Sequence, residues 1–372
     1  MRQPDDELAE LKAASLLRRV PPNQNHLIDF ASNDYLGLSK HPRIQQVYRD
    51  AIGRYGVGST ASRLISGTSA AHEELEAYIA KAKNTQAALT FATGYATSVG
   101  VISSLLDKRD TIIMDKLCHA SLIDGARLSG ATLRVFPHNH LGKLKDLLKK
   151  CSQKASTNTR LLVATESIFS MDGDTAPLSE IIQLCQQHGA LLMVDEAHAL
   201  GITGNTGMGL AEQLNVQEGI DIHMGTLGKA AGVAGGYIAA NQKWIDLLVN
   251  KARSFIYSTA PPPAQAAASC EALRIIGSSE GTILREQLWQ NIRYLKPDAT
   301  SAIIPWIIGD NEEALKKSNQ LREAGFLVPA IRYPTVPRNT ARLRITVNAL
   351  HTPEDLTALS DLLNSFEVVD HS

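Results

Sequence analysis

The chain has 372 residues, a formal net charge of −1 and 44% hydrophobic residues, a composition ordinary for a folded protein of two or three domains. The near-zero charge argues against nucleic acid or an anionic membrane as the main partner, because both select a basic excess. No apolar run approaches the roughly 18 residues a membrane helix needs, and the acidic start MRQPDDELAEL does not read as a signal peptide. Cys118, Cys151, Cys185 and Cys270 show neither CxxC nor metal-ligand spacing, so free thiols in a reducing cytoplasm and no metal are expected.

In chain order, a helix is expected over 6–19, then a break at Pro21-Pro22 and an extended segment. A helix over 44–55 follows. Short apolar runs at 87–92, 111–114, 161–164, 191–194, 221–225 and 236–240 alternate with amphipathic stretches such as 71–83 and 178–188. The latter is framed by Pro177 and Gly189, a start and stop pair. Uniformly apolar strands between helices predict a mostly parallel sheet covered on both faces. Residues 242–295 read as helical, interrupted by Pro261-Pro262-Pro263. Strands over 302–308, 325–331 and 341–347, with helices over 311–324 and 353–366, suggest a small α+β domain with its helices on one face of an antiparallel sheet. The expected division is an N-terminal segment (1–40), a large α/β domain (41–260), and a linker helix with the small C-terminal domain (261–372).

Two glycine-rich stretches fail as nucleotide motifs. Gly56-Val57-Gly58-Ser59-Thr60-Ala61 spells GxGxxA but follows a helix rather than a strand. Gly228-Lys229 has His223 where a Walker loop needs glycine and Ala230 where it needs a hydroxyl.

A different chemistry accounts for the strand ends. Pyridoxal phosphate (PLP) requires a lysine amine for its aldehyde and a carboxylate to keep its ring nitrogen protonated. Its phosphate requires backbone N–H donors at a helix start. Lys229 follows the strand 221–225 among small residues, in Gly225-Thr226-Leu227-Gly228-Lys229. Asp195 ends the apolar strand 191–194, where a carboxylate is costly unless a cation meets it, and His198 follows within reach of a ring hydroxyl. Gly94-Tyr95 open a helix directly after a strand. His119, after the strand 111–114, suits stacking on the ring, and Ser170 and Thr226 are hydroxyls on further strand-end loops. Each feature alone has a plainer explanation: a solvated lysine, a capping aspartate, a simple turn or a half-buried histidine. Their joint arrangement at strand ends, where α/β sheets bind ligands, favours the cofactor.

The ordered motifs carry a family resemblance across nearly the whole chain. They are Ser32-Asn33-Asp34-Tyr35-Leu36-Gly37, Ser62-Arg63-Leu64-Ile65-Ser66-Gly67, His119-Ala120-Ser121 and Phe169-Ser170-Met171-Asp172-Gly173-Asp174. They continue with Asp195-Glu196-Ala197-His198, Thr226-Leu227-Gly228-Lys229, Ile256-Tyr257-Ser258-Thr259, Pro334-Thr335-Val336-Pro337 and Thr340-Ala341-Arg342-Leu343-Arg344. The chain resembles the α-oxoamine synthases. That resemblance implies a fold-type-I, aspartate-aminotransferase-like PLP transferase, with a large, mostly parallel seven-stranded sheet domain and a small α+β C-terminal domain.

The resemblance further implies that Lys229 holds the cofactor and acts as base, and that Asp195 pairs with the ring nitrogen. His198 would bind the ring hydroxyl, and His119 would stack on the ring as a third catalytic group. Gly94, Tyr95, Ser170 and Thr226 would surround the cofactor, and Ser258 and Thr259 would reach the phosphate held by a partner subunit of a homodimer with a shared active site. Arg344 would hold the amino-acid carboxylate, with Asn33 nearby, while Arg18 and Thr335 contact substrate. The implied reaction condenses L-alanine with a pimeloyl thioester, carried by coenzyme A or an acyl carrier protein, with loss of carbon dioxide. Rival readings are a glycine C-acetyltransferase, a serine palmitoyltransferase or an aminoketone signal synthase, or else a non-catalytic PLP-binding regulatory protein. Departures from the family pattern are Ala199, Ala231, Thr60-Ala61, Tyr333 and a short segment over 288–302.

Overall fold

The apolar runs of the sequence become the inner strands of one sheet. In the computed structural model, which describes residues 3–153 and 157–369, the large sheet contains seven strands. They are β1 (Ala87–Phe91), β2 (Thr111–Asp115), β3 (Thr132–Phe136), β4 (Leu161–Glu166), β5 (Leu191–Asp195), β6 (Ile222–Thr226) and β7 (Gly236–Ala240). Their spatial order is β1-β7-β6-β5-β4-β2-β3. β7 pairs antiparallel with both its neighbours, and the other pairings are parallel. Parallel neighbours need crossovers, and helices supply them on both faces. β4 shows why its sequence is continuously apolar: Leu162 and Ala164 join one core, while Leu161 and Val163 join the other.

β3 escaped the apolar-run reading because it is an edge strand. It pairs only with β2, most of its residues are exposed, and Arg134 sits at its centre. Charge on an edge strand discourages pairing with another chain. The first helix is also shorter than expected, Pro4–Ala13, ending before Ser15 takes a left-handed φ of 54°. The run 325–331 is two strands in two sheets. Phe326–Leu327 pairs parallel with Ile28–Asp29, and Ala330–Ile331 pairs antiparallel with Ala341–Thr346. Pro329, with no N–H to donate, separates them.

The chain divides into two compact units. The large one holds Asp34–Ser170 and Asp174–Gln287; the small one holds residues through Asn33, Met171–Gly173 and the chain from Leu288 onward. The sequence suggested a division at 261, but helix Pro263–Ile276 packs on helices Pro42–Tyr55 and Ala70–Ala82 of the large unit. It buries Ala264, Ala268, Ala272 and Leu273 there. The small unit carries a three-stranded antiparallel sheet, with Ala341–Thr346 between Ala330–Ile331 and Ile303–Gly309. No helix among the described residues is long and apolar enough to cross a membrane, and no group of three or more His, Cys, Asp or Glu residues among them is arranged to hold a metal ion.

Candidate active site

The carboxyl ends of the parallel strands in the large unit converge on one cavity of about 170 Å³. It is lined by Gly94, Tyr95, His119, Asp195, His198, Thr226 and Lys229, all expected from the sequence, and also by Glu166, Ala197 and Met224. Strand register explains the convergence. Asp195 stands beside Glu166 on one side and Met224 on the other. Thr226 and Phe91 both stand opposite Gly236 at the start of β7.

Lys229 follows β6 after one short turn, and its Nζ lies 2.6 Å from His198 Nε2. The other ring nitrogen of His198 meets the buried Tyr35 hydroxyl at 2.6 Å. Tyr35 thus fixes the imidazole from behind; it lies in the Asn33-Asp34-Tyr35 motif but had no assigned role. Asp195 accepts the Ala197 N–H at 2.9 Å and is 6% exposed. Burial raises its carboxyl, while Lys229 and the Ala197 N–H pull it back down.

Glu166 is the residue the sequence reading missed. It is buried and accepts the N–H of His119 at 2.6 Å and that of Ser170 at 3.3 Å. Burial, and then the Asp195 carboxylate beside it, raise Glu166 well above the usual carboxylate range. The signal was available: an acidic residue, Glu166, stands just past the apolar run 161–164, much as Asp195 ends 191–194. Ser170, whose N–H donates to Glu166, is not among the residues lining the cavity.

His119 caps helix Ala120–Ser129, its Nδ1 accepting the Ser121 N–H at 3.3 Å. Burial lowers its pKa; the Asp195 carboxylate opposes that shift and Lys229 adds to it. The phosphate end of the expected cofactor has a matching cradle. Helix Gly94–Leu105 begins at the cavity, capped by the Thr93 hydroxyl on the Ala96 N–H at 3.1 Å. The amides of Gly94 and Tyr95 precede the first intrahelical bond and form part of the positive end of the helix dipole. Close packing keeps them there: a Cβ on Gly236 would lie 2.8 Å from Gly94 Cα and 2.3 Å from Thr97 Oγ1. Thr226 Oγ1 accepts the Gly228 N–H at 3.3 Å and donates to the Gly235 carbonyl at 2.9 Å. A lysine, a carboxylate, a histidine and a helix start around one small cavity fit PLP in both charge and donor type.

Ser258 and Thr259 do not line this cavity. Thr259 bridges to Ser62 and is exposed, and Ser258 is half-buried. The remaining expected residues form two clusters in the small unit. Arg344, 5% exposed, donates to Asn33 Oδ1 at 3.1 Å and Thr346 Oγ1 at 2.8 Å. Arg18 donates to the Thr335 hydroxyl at 3.2 Å. Burial and then the Arg18 charge lower the pKa of the neighbouring Arg332, as two cations sharing one place must.

Residues 25–363 match the family described as aminotransferase class I and II. An 8-amino-7-oxononanoate synthase of Geobacter metallireducens is 45% identical, with 94% of each chain covered. Another, of Citrifermentans bemidjiense, is 43% identical over 96% of each. Among solved structures, a serine palmitoyltransferase of S. paucimobilis with PLP and myriocin bound is similar with a TM-score of 0.90 and 27% identity, over 97% of this chain and 96% of that one. An 8-amino-7-oxononanoate synthase of Francisella tularensis is similar with a TM-score of 0.79 and 26% identity, over 94% and 100%.

Proposed function

Because this chain belongs to the aminotransferase class I and II family and has the type I fold of its PLP enzymes, we propose that it is an 8-amino-7-oxononanoate synthase. It would condense L-alanine with a pimeloyl thioester, release carbon dioxide and serve biotin formation. The observation that carries this reading is the single cavity in which Lys229, His198 and Asp195 meet, in a chain whose near-full-length relatives bear that activity.

PLP, when bound, supplies an electron sink for a carbanion at the amino-acid Cα. The rest falls to the chain. Asp195 would keep a proton on the ring nitrogen, and His198, held by Tyr35, would bind the ring oxygen. The His119 ring would cover one face. The Gly94 and Tyr95 amides would hold the phosphate, joined by the Thr226 hydroxyl if its proton turns from the Gly235 carbonyl to the phosphate. The Lys229 amine would hold the cofactor and, when free, would take the Cα proton at Nζ. Arg344 suits the alanine carboxylate, since a buried planar guanidinium pairs with it bidentately, with Asn33 keeping that guanidinium oriented. The paired cations Arg18 and Arg332, beside the Thr335 hydroxyl, suit the distal carboxylate of a pimeloyl chain, a group that a simple fatty acyl chain lacks.

The reading includes a homodimer. In the large unit Val57 (80% exposed), Ile65 (80%) and Tyr257 (71%) present apolar surface on segments joined by the Ser62–Thr259 bridge and the Ala260 N–H to Ala61 carbonyl bond. A second copy covering that surface would bring Ser258 and Thr259 toward its own cofactor phosphate. The deciding assay gives purified protein L-alanine, glycine and L-serine against pimeloyl, acetyl and palmitoyl thioesters on coenzyme A and on carrier protein. Turnover is expected with alanine and the pimeloyl donors; preferred turnover of glycine with acetyl-CoA would overturn the assignment. A PLP absorbance band unmoved by every amino acid would instead favour a non-catalytic binder.

A further inference from the structure

Lys83 and Glu196 form an ion pair that no step of the proposed reaction uses. Their side chains are 2% and 1% exposed, and Nζ lies 2.7 Å from Oε2. A buried ion pair often adds no more stability than a well-packed apolar pair of similar volume, so its burial alone is weak grounds for a stability role. Its position is more informative. Glu196 directly follows Asp195 at the end of β5, and successive strand residues face opposite sides. Asp195 lines the cavity, whereas Glu196 is held among Lys83, the Ala211 N–H at 3.0 Å and, at 3.8 Å, the His223 ring.

The same residue ties down the following turn. Its N–H donates to the Met224 carbonyl at 2.8 Å, and its carbonyl accepts the N–H groups of Ala199 at 2.9 Å and Leu200 at 3.0 Å. Lys83 also donates to the Met208 carbonyl. A Cβ on Gly209 would lie 2.4 Å from Glu196 Oε1, so glycine is what lets the carboxylate seat there.

We propose that Lys83 and Glu196 are positioning residues that lock the turn over residues 195–198, so that the Asp195 carboxylate and the His198 imidazole are presented together to the cofactor ring. This rests on the reading that the cavity takes PLP; wild-type protein that binds no PLP would remove that reading itself, independently of the variants below. The test compares wild type with the apolar pair Lys83→Met/Glu196→Met and with Glu196→Asp, which keeps both charges but shortens the arm. Thermal unfolding, PLP Kd, the visible spectrum of the bound cofactor, kcat and KM are measured for each. The apolar pair, which leaves the Ala211 N–H and the Met208 carbonyl without these partners, is expected to fold with a lowered Tm. Both variants are expected to raise the PLP Kd by about tenfold or more, the usual scale for groups that orient ligating side chains. Both should move the cofactor band and lower kcat more than they raise KM. A folded variant of either kind with wild-type Kd and spectrum overturns the proposal. If the apolar pair fails to fold, Glu196→Asp decides alone, and failure of both to fold overturns it by making the pair a requirement of the fold.

Discussion

Asp195 and Lys229 do opposite work on one ring, and their variants should separate those roles. Lys229→Ala is expected to abolish the visible band of lysine-bound PLP and all turnover, while PLP remains bound noncovalently. Asp195→Asn keeps the shape of the cavity but cannot hold a proton on the ring nitrogen. It should retain PLP in a titration and lose about 10²–10³-fold in kcat, the scale for removing one preorganised electrostatic group. Full activity in Asp195→Asn would show that the electron-sink argument is misplaced. Arg344→Ala should act on binding instead, raising the KM for alanine; it also leaves Asn33 Oδ1 without the guanidinium that now meets it.

At the scale of elements, the site depends on how closely helix Gly94–Leu105 meets the sheet. The contact of Gly236 with Gly94 and Thr97 leaves no room for a methyl group. Gly236→Ala should therefore cost about 1–3 kcal/mol of stability, the usual range for overpacking, and weaken PLP binding by shifting the Gly94 and Tyr95 amides. Urea unfolding and a PLP titration check both effects. The loop after β4 has its own clamp. His138 bonds Asp115 at 3.0 Å and Asp174 at 2.7 Å. Partial burial opposes the His138 charge, yet the two carboxylates raise its pKa from 6.5 to about 10. A pKa raised by folding gives stability that is fully present below about 6.5 and lost as pH climbs through about 10. The urea midpoint of wild type relative to His138→Gln should therefore narrow as pH rises from 6.5 toward 10; a constant difference would contradict the clamp.

For the molecule as a whole, the exposed Val57, Ile65 and Tyr257 side chains are the surface that the proposed homodimer would cover. Val57→Asp/Ile65→Asp should convert a dimer to a monomer in analytical ultracentrifugation, and turnover should fall with the dimer fraction. A monomeric wild type, or a fully active monomeric variant, would rule out the shared site. The two-unit division also belongs to this scale. The alanine-rich helix Pro263–Ile276 looks like a linker in sequence, but it belongs to the large unit because its small side chains allow close packing on two neighbouring helices.

The sequence by itself determined the inner strands, whose apolar runs reflect burial on both faces, and the chemical identities at their ends: Lys229, Asp195, His198, His119 and the Gly94-Tyr95 helix start. Those signals are local, so periodicity and motif spacing carry them. Tertiary structure alone decided what depends on strand order. Register put Glu166 beside Asp195, folding brought Tyr35 behind His198, and the end of a distant helix set Lys83 against Glu196. The edge strand β3 was invisible for the same reason, because exposure is a property of a strand's place in the sheet and leaves no apolar run to read.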